Sequence, residues 1–540
     1  MATNTDNMSS STICGPWSWF CKGDQDNEDM LLPIILLAVS VTILGTCLFQ
    51  WGFKKQRETA DKLPPGPRGL PIVGYLPFLG PNLHQMFMEL ALTYGPIYKL
   101  SIGRKLCVII SSPALVKEVV RDQDITFANR NPTIAAKTFS YGGKDIAFQP
   151  YGPEWRMLRK IFVREMQSNA NLDAFYSLRR NKVKESVNET YRKIGKPVNI
   201  GELAFSTVIN MISGMFWGGT LEVDTEIDIG SEFRAAASEL IEILGKPNVS
   251  DFFPVLARFD IQGIERKMKK ATQRIEKIYD FVMDEWIEKG GARVESEAKN
   301  DQRKDFMHFL LGFKEQDSGR SISREQIKAL LMDIVVGGTD TTSTTVEWAM
   351  AEMMLHPEVM KNAQKELTDA VGTDEIVEER HIDKLQFLHA VVKETLRLHP
   401  VAPLLLPRSP SNTCCVGGYT IPRNAKVFLN VWAIHRDPKF WDNPSEFQPE
   451  RFLSNVSRLD YLGNNMQYLP FGSGRRICAG LPLGERMLMY CLATFLHMFK
   501  WELPNGERAD TSEKFGVVLE KSTPLIAIPT PRLSNLNLYA

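Results

Sequence analysis

Ten residues near the C-terminus carry the densest chemistry in the chain: Phe471-Gly472-Ser473-Gly474-Arg475-Arg476-Ile477-Cys478-Ala479-Gly480. A single cysteine stands in a glycine-rich loop beside two arginines. An apolar helical pattern over 483–499 follows directly. One cysteine cannot build a structural zinc site, which needs four ligands. The glycines do not follow the dinucleotide spacing G-x-G-x-x-G either. What fits is a thiolate presented at a helix N-terminus, where the dipole favours negative charge. A soft anionic ligand of that kind suits haem iron. A lone loop cysteine is usually just a small apolar residue. Here the spacing F-x-x-G-x-R-x-C-x-G is matched at every fixed position.

A second constellation interrupts the longest predicted helix. Ser323 with Gln326 three residues later fits a capping box, and His356-Pro357 stops the pattern. The helix expected over 324–355 measures roughly 48 Å and crosses a whole domain. Its middle, 330–336, is almost wholly apolar and must be buried on most sides. Then comes Gly337-Gly338-Thr339-Asp340-Thr341-Thr342. Glycine in a helix interior costs about 1 kcal/mol against alanine. A local rule broken at the centre of a buried element marks either a functional site or a packing notch for another helix.

Together these motifs resemble the cytochrome P450 family, in its plant microsomal branch. The resemblance runs from Pro64 to the end and includes Glu394-Thr395-Leu396-Arg397 (E-x-x-R) and Pro449-Glu450-Arg451-Phe452 (P-E-R-F). It implies a mainly α fold with small β-sheets, haem b, and Cys478 as the iron ligand. It implies that Phe471 and Gly480 belong to the cofactor loop, and that Trp155, Arg159, Arg476 and Arg408 contact the haem propionates. Glu394, Arg397 and Arg451 would form a structural charged triad. Gly338 would leave room for dioxygen, with Asp340 and Thr341 as the acid–alcohol pair that moves protons. Longer strings (63–80, 245–251, 329–342) are similar to the family containing (+)-delta-cadinene 8-hydroxylase, whose relatives also oxidise flavonoids and aldoximes. This makes a sesquiterpene the expected substrate, with flavonoid or aldoxime oxidation as alternatives and a non-catalytic haem binder as the competing class. The loop over 131–145 departs from that family.

These residues need a scaffold and an address. The chain has 540 residues, with 64 basic and 64 acidic side chains. Balanced charge argues against a broadly basic nucleic-acid binder. Eight cysteines in that length cannot form a disulfide framework. Cys107, Cys414, Cys415 and Cys491 read as reduced and structural, while Cys14 and Cys21 would be lumenal. A mean hydropathy of −0.18 excludes a polytopic membrane protein. It leaves room for one span, and 30–53 is uncharged, acidic before and basic after. That pattern predicts a transmembrane anchor with the body in the cytosol at the endoplasmic reticulum. The expected organisation is a lumenal 1–29, an anchor 30–53, a basic and Pro-rich linker 54–67, and one domain over 68–540.

Family positions suggest an apolar pocket lined by Phe127, Ile334, Val335, Val401, Ala402, Leu404, Phe515 and Val517, with no charged side chain among them. The resemblance also implies electrons from NADPH through a membrane-anchored cytochrome P450 reductase. Arg156, Lys160 and Arg164 recur every four residues and would offer that acidic partner a basic stripe.

Overall fold

The computed structural model describes residues 39–43, 45–46, 63–217, 229–288, 305–313, 321–453, 459–506 and 508–540. Residues 1–60 form one unit and 61–540 a second. In the first, 39–43 and 45–46 are helical, with Val39, Val41 and Ile43 exposed. The rest of the expected anchor, Cys14, Cys21 and the loop over 290–304 lie outside the described residues.

Among the described residues the larger unit is mainly helical, with two three-stranded and two two-stranded sheets. Helix α1 (Leu83–Tyr94) leads into strands β1 (Ile97–Ile102) and β2 (Lys105–Ile110), an antiparallel hairpin. The Pro-rich stretch belongs to this body rather than forming a free spacer: Pro64 is buried, and Lys99 N–H donates to the Pro65 carbonyl at 2.8 Å. Next come α2 (Pro153–Lys160), α3 (Ile200–Trp217) and α4 (Ile229–Gly245). Among the described residues, α3 alone is long and apolar enough to cross a membrane. Its side chains from Thr207 to Trp217, Asn210 apart, are buried, so it is a core helix.

The central element is two helices, α5 (Arg324–Gly338) and α6 (Asp340–Leu355), rather than the single one expected. The predicted cap is present: Gln326 N–H donates to Ser323 Oγ at 3.2 Å, and Ser323 N–H to Gln326 Oε1 at 3.1 Å. The break at Thr339 has a local cause. Thr341 Oγ1 donates to the Gly337 carbonyl at 2.6 Å, and such back-bonding bends helices, here beside two glycines. Then follow α7 (Gln386–Leu398), β3 (Lys426–Leu429) and α8 (Leu481–Met498). Strand β3 pairs in parallel with β2, Val108 opposite Val427. A hairpin of β4 (Glu513–Phe515) and β5 (Leu519–Lys521) lies near the C-terminus. The main core gathers α3, α5, α6 and α8, including Ile212, Met332, Val346 and Leu492.

Candidate active site

The loop before α8 is shaped by close backbone approach. Gly474 has φ of +69°, and a Cβ there would meet the Val120 carbonyl oxygen at 2.3 Å, so only glycine fits. Ile477 N–H then closes on the Gly474 carbonyl at 3.0 Å, and Cys478 N–H donates to the Phe471 carbonyl at 2.9 Å. Phe471 packs edge-on against Tyr461, centroids 5.1 Å apart. Gly480, the residue before α8, has its N–H toward the Cys478 sulfur.

Cys478 is surrounded by protein yet keeps accessible surface. The two facts agree if its sulfur faces an internal chamber. Burial raises its thiol pKa, against the Gly480 N–H and the Arg159 charge. The broken helix has the same character. Gly337 is exposed although it lies in mid-helix, and a Cβ on it would meet nothing within 4 Å. Gly338 is tighter: a Cβ would lie 3.5 Å from Ile212 Cδ1 and 3.9 Å from Met487 Cε, the latter on α8.

Four arginines cluster near this loop. Arg476 donates through Nε to Ala128 O at 2.6 Å and through Nη1 to Ile146 O at 2.9 Å. Trp155 donates its indole N–H to the same Ile146 carbonyl at 3.0 Å, and the Arg476 guanidinium lies 4.5 Å from its ring centroid. Trp155 therefore braces Arg476, with its own N–H already engaged. Arg159 donates to Ile477 O at 2.7 Å, and Arg408 to Ser473 O at 2.6 Å. The fourth, Arg130, is absent from the sequence reading. It donates to the Leu406 and Pro407 carbonyls. Burial lowers its pKa well below the usual arginine value, and Arg408, Arg476 and Arg159 push the same way. Burial also brings Arg408 and Arg476 down to about 10, which leaves both charged at neutral pH. The side chains facing this cluster do not balance it. Asp124 approaches Arg408 at 3.7 Å, and Arg130 Nε and Arg408 Nη1 have no partner despite being buried.

Two further carboxyls were missed. Asp333 lies one turn before Gly337, and its Oδ2 accepts from Ile146 N–H at 2.7 Å. Burial raises the Asp333 pKa far above the carboxylate range, and Asp145 beside it adds to the shift. Burial likewise pushes Asp145 to about 6. Burial and the neighbouring acid both favour the protonated form of Asp333. The sequence hint was an acid in the apolar run 330–336.

Asp340 is mostly enclosed, and its Oδ2 has no partner. Burial pushes its pKa up to about 7, Glu520 adds to the rise and Lys514 opposes it. The triad residues come together as expected. Glu394 meets Arg397 at 2.7 Å and Arg451 at 3.0 Å, with Glu394 and Arg397 fully buried.

The pocket residues separate. Phe127 packs with Val116 and Leu429, and Leu404 with Phe87 and Ile109, so both are core rather than pocket wall. Val335, Ile334 and Val401 are buried in the main core, and Ala402 is half-buried. Phe515 and Val517 do line a cavity, but it also contains Asp340, Glu347, Lys514 and Glu520, so its wall is charged rather than apolar. An apolar residue at a family position reads the same in sequence whether it faces a ligand or the core. Arg156, Lys160 and Arg164 are all exposed, and the free cysteines Cys107 and Cys491 are buried.

A helical body with a loop cysteine at the start of a long helix, a broken central helix and a cluster of buried arginines fits the haem-thiolate oxygenases as a class. The donor set fits the cofactor: a soft sulfur for iron, and buried guanidinium groups with a nitrogen left without a hydrogen bond for two carboxylates. The sequence model of the cytochrome P450 family matches residues 64–528, and the chain belongs to that family of haem monooxygenases. It is 38% identical to a flavonoid 3'-monooxygenase of Crocosmia x crocosmiiflora, over 94% of this chain and 99% of the relative. A flavonoid 3'-monooxygenase of Petunia hybrida is also 38% identical, over 93% and 98%. A carnosic acid synthase of Salvia pomifera is 36% identical, over 92% and 99%. Among solved structures, a zebra fish cytochrome P450 with progesterone aligns with a TM-score of 0.71 at 25% identity, covering 84% of this chain and all of that one.

Proposed function

We propose that this chain hydroxylates a flavonoid-like phenolic, inserting one atom of O2 into a ring C–H bond while the other leaves as water. The observation that carries this is 38% identity to a flavonoid 3'-monooxygenase across nearly both full chains. These relatives favour the flavonoid alternative over the expected sesquiterpene. Two electrons come from NADPH through a reductase docked on Arg156, Lys160 and Arg164. The segment 30–53 anchors the enzyme in the endoplasmic reticulum membrane, with the body cytosolic.

When bound, the haem supplies oxygen activation. The chain's own residues do the rest. Cys478 would hold the iron as thiolate, the Gly480 N–H and the Arg159 charge favouring that form. Arg130, Arg159, Arg408 and Arg476 hold the propionates. Thr341, bonded to Gly337, fixes the bend that keeps the chamber open. Asp340 takes up and releases protons near neutral pH as general acid.

The test is microsomal expression with reductase, challenged with flavonoids, sesquiterpenes and aldoximes. The expected outcome is NADPH-dependent hydroxylation of a flavonoid. Turnover of a sesquiterpene with none of any flavonoid would overturn the substrate assignment. Cys478→Ser should abolish the thiolate-type Soret band of the carbonyl adduct; its retention would overturn the ligand assignment.

A further inference from the structure

Arg476 is gripped by one short turn of chain, 146–149, and the same turn is gripped by two acids. The Arg476 Nη1 donates to the Ile146 carbonyl at 2.9 Å, Nη2 donates to the Gln149 carbonyl, and Nε is spent on Ala128 O at 2.6 Å. A guanidinium has five N–H groups. Three are committed to backbone, which leaves two for a ligand. The N–H groups of the turn go to the acids instead. Ile146 N–H donates to Asp333 Oδ2 at 2.7 Å, and Ala147 N–H points to the same carboxyl. Phe148 N–H donates to Asp145 Oδ1 at 3.2 Å. Asp145, Ile146, Gln149 and Arg476 are each at most 7% exposed, so water does not substitute for these bonds.

One peptide unit carries the connection. The carbonyl of the Ile146–Ala147 unit takes Arg476 and, at 3.0 Å, the Trp155 indole N–H; the N–H of that unit goes to Asp333. Hydrogen bonds in series polarise one another, and the peptide plane between them is stiff. Helix α5 holds the loop a second time, through Glu325 paired with Lys144. The chain enters this loop by Tyr141, Gly142 and Gly143, with φ of +54°, +79° and +90°. A tyrosine with positive φ persists only where its surroundings impose it. A carboxylate in direct contact would neutralise Arg476 and compete with a ligand. The intervening peptide anchors the guanidinium and leaves its charge available.

The geometry points to Asp333 as a positioning residue for Arg476: it fastens the 146–149 turn to the central helix, and the turn holds the guanidinium ready for a haem propionate. Asp333 acts through backbone, not by contact with the cofactor. The inference rests on the proposal that Arg476 holds a propionate, and it adds the central helix to what keeps the haem in place.

The experiment uses the full-length holoenzyme in lipid nanodiscs and reads the rate of haem transfer to apomyoglobin. Asp333→Leu leaves the Ile146 and Ala147 N–H groups unmet and should speed transfer about 5-fold, the equivalent of roughly one hydrogen bond. Asp333→Asn keeps a carbonyl oxygen toward them and should stay near the wild-type rate. Arg476→Leu should speed transfer about 10-fold. Added to Arg476→Leu, Asp333→Leu should change little more. Added to Arg408→Leu, whose guanidinium is held on Ser473 O instead, it should keep its full effect. A general loosening of the fold would act equally in both backgrounds, and that result would overturn the inference. So would a wild-type rate in Asp333→Leu when Arg476→Leu is fast. Should Asp333→Leu fail to fold, hydrogen exchange in the wild-type holoenzyme decides. Slow exchange at the Ile146 and Ala147 amides supports the clamp, and exchange at the rate of unprotected amides overturns it. If Arg476→Leu itself leaves transfer unchanged, the propionate role of Arg476 fails and takes the inference with it.

Discussion

The Glu394–Arg397–Arg451 cluster and the Arg130–Arg159–Arg408–Arg476 cluster both bury guanidinium groups, and they differ in where the negative charge sits. In the first, Arg397 meets both Glu394 oxygens, at 2.7 and 2.8 Å, and donates to the carbonyls of His435, Pro444 and Glu446. Glu394 also accepts from Gln448 N–H and Arg451. Donors and acceptors match within the chain. In the second, four cations repel one another; Asp124 lies 3.7 Å from Arg408 and Asp145 acts on Arg130, and Arg130 Nε and Arg408 Nη1 make no hydrogen bond within the chain. Buried charge that closes on itself holds a fold. Buried charge that stays unbalanced is built for something outside the polypeptide.

The comparison can be broken most violently at Arg397. Arg397→Ala leaves Glu394 charged and fully buried with several carbonyls unpaired, and should cost about 3–5 kcal/mol. The expected result is little folded protein on expression, and a thermal midpoint near wild type would show that the cluster is not closed. Next is the carboxyl pair beside the arginine cluster. A carboxyl whose folded-state pKa is raised adds stability that is complete below its unfolded value near 3.9 and is lost as pH rises through the folded value. For Asp145 that loss runs from about pH 4 and is complete above about pH 6. Asp333→Asn removes the like charge, so the fall in thermal stability between pH 4 and 7 should shrink by roughly 1–3 kcal/mol. Parallel curves for variant and wild type would show that the Asp333 carboxyl is not raised in the folded protein.

A smaller effect is expected at the open cluster itself. Arg408→Leu removes a cation whose nearby carboxylate, Asp124 at 3.7 Å, is shared with Arg475. Haem transfer to an acceptor protein should speed up about 10-fold, the equivalent of one charge-assisted bond, about 1.4 kcal/mol. Thermal stability should fall far less than in Arg397→Ala, and equal losses in the two variants would erase the distinction. Smallest of all is the exposed stripe. Lys160→Glu with Arg164→Glu should leave stability unchanged and slow electron entry from reductase at low salt, the difference fading as salt is added. Unchanged reduction kinetics would remove the docking role.

Much of the site was legible because it is local in sequence. Cys478, the E-x-x-R pair and the Gly337–Thr342 interruption are short strings whose cost or chemistry shows without a partner. Even there the helix differed, as one expected element became two, because a threonine hydroxyl competes for a backbone carbonyl in a way that periodicity does not register. Arg130 was not legible, since only folding brings it beside residues some 280 to 350 positions away. The same holds for Asp145 against Asp333. Phe127 and Leu404 failed for the opposite reason: their apolar character is real, but it faces the core. The charged cavity beside α6 combines four separate segments, and only the one with Asp340 carries a motif.

The parallel pairing of β2 with β3 sets a schedule for synthesis. Val108 cannot meet Val427 until roughly 320 further residues have been made. At about 5–20 residues per second that takes some 15–60 s. Throughout that interval the β1–β2 hairpin has one unpaired edge, and an edge rich in valine and isoleucine is an aggregation hazard. A nascent chain stalled before residue 426 should therefore depend on chaperones more heavily than one stalled after residue 430 has left the ribosome.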